Sequence, residues 1–316
     1  MKRDTILVIG ASGQIGTVLT AALQKKYGLR HVIASDLKIP AEFTGIFRQL
    51  DATQADEITA IVTDYQVTQI YHLAAVLSAS GENNPLRTWD LNMRTLLNVL
   101  EVARTYQLDK VFIPSSIAVF GEKAPRISTP QDAALIPTTV YGISKVAAED
   151  WMNYYYSRYQ LDVRSLRYPG VISYQSLPGG GTTDYAVDIF HKATTGQDYE
   201  CFLSEHTRLP MIYMDDAIRA TLELMDAPAE SIQVRTSYNL AGMSFTPAEL
   251  TFEIQKHYPA FKTIYKPDFR QQIANSWPGS IDDQDAQRDW NWKPAFDLAK
   301  MTTDMIEHLS AKLVHG

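Results

Sequence analysis

The chain has 316 residues, 45% hydrophobic and 21% charged, enough apolar material for one large globular unit or for a domain with an appended lobe. Its 29 lysines and arginines stand against 36 aspartates and glutamates, a formal net charge of −7 with no basic tract, which argues against nucleic acid and anionic membrane and for a small-molecule partner. Cys201 is the sole cysteine, which excludes an internal disulfide and any multi-thiolate metal site and agrees with a reducing, cytoplasmic compartment. Met1-Lys2-Arg3-Asp4 passes straight into an apolar run, leaving no room for a leader peptide, and no apolar run approaches membrane-spanning length.

In chain order, Thr5 to Ile9 reads as a strand, a glycine cluster follows, and Gln14 to Lys26 has helical spacing at Ile15, Val18, Leu19, Ala22 and Leu23. Strands are expected at His31 to Ser35, ending on Asp36, and at Phe47 to Leu50, ending on Asp51. A helix follows near Asp56 to Tyr65. Then come strand Gln69 to Leu73, helix Leu86 to Thr105, strand Lys110 to Pro114 before Ser115 and Ser116, helix Tyr141 to Tyr159 and strand Asp162 to Arg167. This alternation predicts an α/β fold in which residues 1–170 form a Rossmann-type doubly wound parallel sheet. After Tyr168-Pro169-Gly170 the rhythm breaks, and residues 171–316 are expected to form mainly a smaller, discontinuous lobe. Within it, Pro210 to Tyr213 and helix Ala217 to Met225 are expected to return to the main sheet. Trp277, Trp290, Trp292 and Phe296 are expected to close the lobe's core.

The cluster Gly10-Ala11-Ser12-Gly13-Gln14-Ile15-Gly16 between strand and helix has a physical requirement at each glycine. Gly10 allows the turn, Gly13 lets backbone approach a pyrophosphate, and Gly16 lets helix pack on sheet. The helix start then faces the phosphates. Asp36, twenty residues after Gly16, can accept both hydrogen bonds of an adenosine ribose and would repel a 2′-phosphate, which favours NAD over NADP despite the nearby Lys38. Asp51 is either an adenine contact or a turn residue.

Tyr141 and Lys145 are one helical turn apart on one face. A free phenol has a pKa of ~10, and bringing it near neutrality requires roughly 4 kcal/mol of preference for phenolate. A cation ~4 Å away at an effective dielectric near 20 supplies about that much, and the positive nicotinamide ring of an oxidised cofactor would add more. Ser116 follows the fifth strand at the ligand-binding edge of such sheets and can hold the reacting oxygen; turn or capping serines would look the same.

These residues, with His72-Leu73-Ala74-Ala75, Pro114 through Gly121, Tyr141 through Lys145 and Arg167 through Gly170, resemble an extended short-chain dehydrogenase/reductase of the NAD-dependent epimerase/dehydratase type over nearly the full length. The resemblance implies Ser116, Tyr141 and Lys145 as catalytic residues. It also implies cofactor contacts from Gly10, Ser12, Gly13, Gln14, Ile15, Gly16, Asp36, Leu37, Asp51, Ala52, Leu73, Ala74, Ala75, Asn92, Tyr141, Lys145 and Tyr168. For Asn92 a polar surface position remains an equal alternative. Phe120 departs from the tyrosine usual in sugar-nucleotide members.

Within the family, Leu177 through Asp188 and Ser276 through Asp283 are similar to the short-chain type of L-threonine 3-dehydrogenase. That implies NAD-dependent oxidation of L-threonine to 2-amino-3-oxobutanoate, a metal-independent reaction, and a homodimer. Gly181, Thr182 and Thr183 stand before a helix, where free amides suit a carboxylate, although the threonines also read as N-caps. Ser78 and Ser80 reach the substrate from the opposite side or are loop serines, and Trp277 covers the pocket or is core. The alternative activity is a sugar-nucleotide epimerase or dehydratase, for which Arg208 would contribute to a diphosphate site.

Overall fold

The computed structural model describes residues 4–175 and 179–315. Strand β1 (Ile6–Ile9) turns at Gly10, φ +87°, into helix α1 (Gln14–Tyr27). A Cβ on Gly10 would lie 2.7 Å from the Ala74 amide nitrogen, and one on Gly16 would lie 2.0 Å from the Gly10 oxygen, so neither position admits a side chain without a shift of backbone. The chain continues through β2 (Val32–Asp36), β3 (Ile46–Gln49), α2 (Ala55–Tyr65), β4 (Gln69–His72), a single turn α3 (Ser78–Gly81) and α4 (Pro85–Thr105). It then forms β5 (Lys110–Phe112), β6 (Ser115–Ser116), α5 (Val140–Tyr159) and β7 (Val163–Arg164).

Six of these strands form one parallel sheet in the order β3-β2-β1-β4-β5-β7. The order reverses between β1 and β4, the place where doubly wound sheets open a crevice at their carboxyl ends. Strand periodicity builds both faces. Ile6 and Val8 pack with Leu19 and Leu23 of α1, while Leu7 and Ile9 pack with Ile58 of α2, Val99 of α4 and Ala148 of α5.

The second half contributes β8 (Leu166–Tyr168), β9 (Gly170–Ile172), α6 (Tyr185–Thr194), β10 (Tyr199–Cys201), β11 (Leu209–Tyr213) and α7 (Met214–Asp226). After these come β12 (Tyr238–Asn239), β13 (Met243–Phe245), α8 (Pro247–Gln255), β14 (Thr263–Tyr265), α9 (Arg270–Ser276), α10 (Gln284–Trp290) and α11 (Leu298–His315). Short sheets join them: β13-β11-β9, β12-β8-β6 and β10-β14.

Three expectations are corrected here. The strand foreseen at 162–167 breaks at Ser165, whose carbonyl accepts from the Tyr238 amide (3.0 Å) and whose hydroxyl meets that of Ser237 (2.9 Å), so the chain leaves β5 and pairs with β12 and β6 instead. The segment near 210 does not rejoin the main sheet as a strand: β11 pairs with β9 and β13, and only α7 returns, packing Ala217 and Leu224 with the α1 face. Trp290 and Trp292 also pack on that face rather than in the lobe. Trp292 is held by its indole N–H donating to Ala241 O (3.1 Å) and by the Arg219 guanidinium 4.5 Å from its ring. Trp277 lies in the lobe's core, and Phe296 packs against it. Among the described residues no helix is long and apolar enough to cross a membrane.

Candidate active site

At the β1/β4 crevice a cavity of about 320 Å³ is walled by Gly10, Gly13, Asp36, Leu37, Asp51, Ala52, Leu73, Ala74, Ala75 and Asn92, with Thr53 and Thr95. Helix α1 has Gly13 at its N-cap, no side chain capping it and no acidic residue in its first turn, so its amides and positive dipole end are left for an anion. Asp36 is set by two backbone donors, Ser12 N to Oδ2 (3.0 Å) and Leu37 N to Oδ1 (2.7 Å), which aim the carboxylate while leaving lone pairs for ribose hydroxyls. Asp51 holds a turn through Thr53 N and Oγ1 to its Oδ1 (2.9 and 2.8 Å) and still lines the cavity. This donor and acceptor set fits a dinucleotide.

Leu73 and Ala75 also line a second cavity of about 160 Å³, which collects Gln14, Ile15, Ser78, Ser116, Tyr141, Lys145, Tyr168, Gly181, Thr182, Thr183 and Trp277. Not every expected residue arrives. Ser12 faces a separate groove and acts through its amide on Asp36, Gly16 lines neither cavity and serves the helix–sheet contact, and Ser80 is exposed with its hydroxyl donating to Leu77 O (3.3 Å). Leu177 and Pro178 lie outside the described residues. Asn92 is buried rather than on the surface: its amide bonds Val76 N and O (2.8 and 3.2 Å) and Ser144 Oγ (3.2 Å), joining the loop after β4 to α5.

Thr139 caps α5 through Gly142 N (3.1 Å), which starts the helix so that Tyr141 and Lys145 share the face toward β6. The Lys145 ammonium lies 5.6 Å from the Tyr141 ring centre and donates to Pro114 O (2.7 Å). Burial governs both groups. It pushes the phenol up to about 12, opposed by the neighbouring Ser116 hydroxyl, and lowers Lys145 to about 8, opposed by the Glu149 carboxylate. The expectation that a nearby cation and the positive nicotinamide ring together favour phenolate did not include burial, which in this structure sets the direction of the Tyr141 shift.

The loop before α6 also differs from expectation. Gly180 N and Gly181 N both donate to Asp184 Oδ2 (2.8 and 2.7 Å), so these amides are committed inside the loop. What the loop offers the cavity is the hydroxyls of Thr182 and Thr183, with Thr182 Oγ1 3.4 Å from Ser78 Oγ, and the Asp184 carboxylate beside them. Sequence reasoning gave no individual role to Asp184 or to His72, which is buried behind Lys145 and lowered to about 3 by desolvation and that lysine's charge; it met both only within motifs. It named Arg167 only as part of a motif, and Glu149, its buried partner, not at all. The spacing of Glu149, four residues after Lys145 on one helix face, was the available signal.

Residues 6–241 match the NAD dependent epimerase/dehydratase family. An uncharacterized epimerase/dehydratase of Staphylococcus haemolyticus is 44% identical over 314 residues, 98% of each chain. The holo form of a GalE-like L-threonine dehydrogenase from Cupriavidus necator superposes with a TM-score of 0.95 at 52% identity, covering 96% of this chain and 99% of that one. A monomeric L-threonine 3-dehydrogenase from a metagenome, in its apo form, gives 0.95 at 50% identity over 98% and 99%. With a doubly wound sheet, a helix start free for phosphates and these relatives, the chain belongs to the NAD-dependent epimerase/dehydratase family of extended short-chain dehydrogenases/reductases, and its cofactor is NAD.

Proposed function

We propose that this oxidoreductase is an L-threonine 3-dehydrogenase, converting L-threonine to 2-amino-3-oxobutanoate. The observation that carries this reading is the second cavity. It is small, walled by Ser78, Ser116, Thr182 and Thr183, and bears one cation and one carboxylate, Lys145 and Asp184, a balance suited to a zwitterionic hydroxy amino acid. The solved relatives named as L-threonine dehydrogenases support the same substrate.

NAD, when bound, would supply the hydride acceptor and a positively charged nicotinamide ring. Gly10, Gly13 and the start of α1 would hold its pyrophosphate, Asp36 and Leu37 its adenosine ribose, and Asp51, Ala52 and Asn92 would line the adenosine side. Tyr141 Oη, as phenolate, takes the proton from the substrate's side-chain hydroxyl. Ser116 Oγ orients that oxygen, and Lys145 Nζ would hold the nicotinamide ribose while its positive charge favours phenolate. The three hydroxyls of Ser78, Thr182 and Thr183 bind the substrate carboxylate, and Trp277 excludes water.

A sugar nucleotide needs cations for its diphosphate. Arg208 is not available to the cavity: its guanidinium pairs with Glu249 and donates to Ser244 O (2.8 Å). Exposed Leu86, Trp89, Trp151 and Tyr154 on the packed helices α4 and α5 support self-association as a homodimer, which light scattering measures. The buried, unpaired Cys201 suits a reducing cytoplasm. The deciding assay is NADH formation followed by near-ultraviolet absorbance with NAD and L-threonine; turnover of UDP-sugars in its place would overturn the proposal.

A further inference from the structure

We propose that the buried Glu149–Arg167 ion pair is a positioning device, fixing Ser116 against Lys145 and registering the catalytic helix on the segments that lead into the substrate lobe. Glu149 is one turn beyond Lys145 on α5 and fully buried. Its Oε1 accepts from Ser115 Oγ (2.6 Å) and from Arg167 Nε (3.0 Å), and its Oε2 accepts from Arg167 Nη2 (2.7 Å). Ser115 is the neighbour of Ser116 in β6, so one carboxylate grips the strand carrying Ser116 and the helix carrying Tyr141 and Lys145.

The guanidinium extends the link. Arg167 Nη1 donates to Gln131 O (2.9 Å) and to Asn239 Oδ1 (3.1 Å), and Asn239 Nδ2 donates to Thr129 O and Asp282 O (both 3.0 Å). Asp282 follows Trp277 by five residues, and Trp277 lines the substrate cavity. A continuous set of charge-assisted and neutral hydrogen bonds therefore joins α5, β6, β8 and β12 to the two loops at 129–131 and 282.

Stability alone is a poor reason for this pair. Replacing a buried ion pair by apolar side chains of similar volume is commonly neutral or stabilising, so two desolvated charges beside a reaction centre ask for another role. Position supplies one, and charge adds to it: Glu149 is the carboxylate that counters the effect of burial on Lys145. The other groups around that ammonium are Tyr141 on its own helix and neutral His72 from β4, while Glu149 itself faces Arg167 from β8 and Ser115 from β6.

The inference rests on the roles assigned above to Ser116, Tyr141 and Lys145, so its test includes a readout independent of turnover. The paired replacement Glu149→Leu/Arg167→Met removes both charges without stranding either. In the folded variant the expected result is a fall in kcat for L-threonine of about tenfold. The rising limb of the kcat/KM pH profile moves up by ~0.5 unit, because losing Glu149 makes Lys145 less cationic and phenolate less favoured. The Lys145 Cε resonance of 13C-lysine-labelled protein should titrate at lower pH than in the parent. Ser115→Ala, which keeps the pair, should lower kcat about threefold with no pH shift.

Unchanged kcat and pH profile in the paired variant, or unchanged kcat in Ser115→Ala, would overturn the proposal. If the paired variant does not fold, Ser115→Ala decides. If the parent protein does not oxidise L-threonine, the proposed function falls by itself; the Lys145 titration then decides, a lowered value supporting the device and an unmoved one sinking it.

Discussion

The cavity of about 320 Å³ under Asp36 is walled by residues between Ile9 and Thr95, whereas the 160 Å³ cavity at Tyr141 gathers side chains from Gln14 to Trp277. The first is made by repeated strand–turn–helix units that follow one another in the chain. The second exists only once α5, β6 and the loop before α6 have docked on one another. Cofactor affinity should therefore answer to local backbone geometry, and substrate affinity and turnover to long-range packing, so variants in the two regions should affect different constants.

The sharpest separation is Tyr141→Phe. Loss of the phenolic oxygen should lower kcat about 10³-fold while the NAD Kd, from fluorescence titration, stays near the parent value; near-normal kcat would remove Tyr141 from the reaction. On the cofactor side, Gly16→Ala puts a methyl group 2.0 Å from the Gly10 carbonyl and should weaken NAD binding by about a hundredfold and lower Tm. An undisturbed Kd there would break the link between turn geometry and coenzyme affinity. Thr182→Val should raise KM for L-threonine about tenfold and leave the NAD Kd alone, because the proposed substrate hydrogen bond is lost along with the contact to Ser78 Oγ. A changed Kd with constant KM would show that the two cavities are not separable.

Smaller effects sharpen the same contrast. Asp36→Ser removes a carboxylate that repels a 2′-phosphate and should narrow the NAD/NADP preference by about tenfold in kcat/KM; unchanged selectivity would assign it to another residue. His72, behind Lys145 where the two regions meet, is lowered in the fold to about 3 from an ordinary 6.5. The unfolded chain takes up that proton first as pH drops, so the contribution is whole above 6.5 and fades as pH falls toward 3. Denaturant titrations of His72→Leu should show a shallower loss of stability over that window, and an identical slope would place the acid sensitivity elsewhere.

The three glycines after β1, Asp36 at the end of β2 and the Tyr141/Lys145 spacing were legible because each is a local pattern with its own steric or electrostatic requirement. Ser80 was not separable from Ser78 in sequence. Both are loop serines by composition, and only the single turn of α3 buries one against Thr182 and exposes the other. Trp277 and Trp292 were likewise indistinguishable as aromatics, yet one lines the 160 Å³ cavity and the other packs beneath Arg219.

By itself the sequence determined the doubly wound parallel sheet of the first half, the coenzyme class and the one-turn spacing of Tyr141 and Lys145, since helix and strand periodicity and turn chemistry act over a few residues. Tertiary structure alone decided that Asp184 consumes two loop amides, that burial pushes the Tyr141 phenol up to about 12, and that Glu149 and Arg167 meet beside Lys145. Desolvation and hydrogen-bond pairing depend on which distant segments exclude water from one another, and no local pattern carries that information.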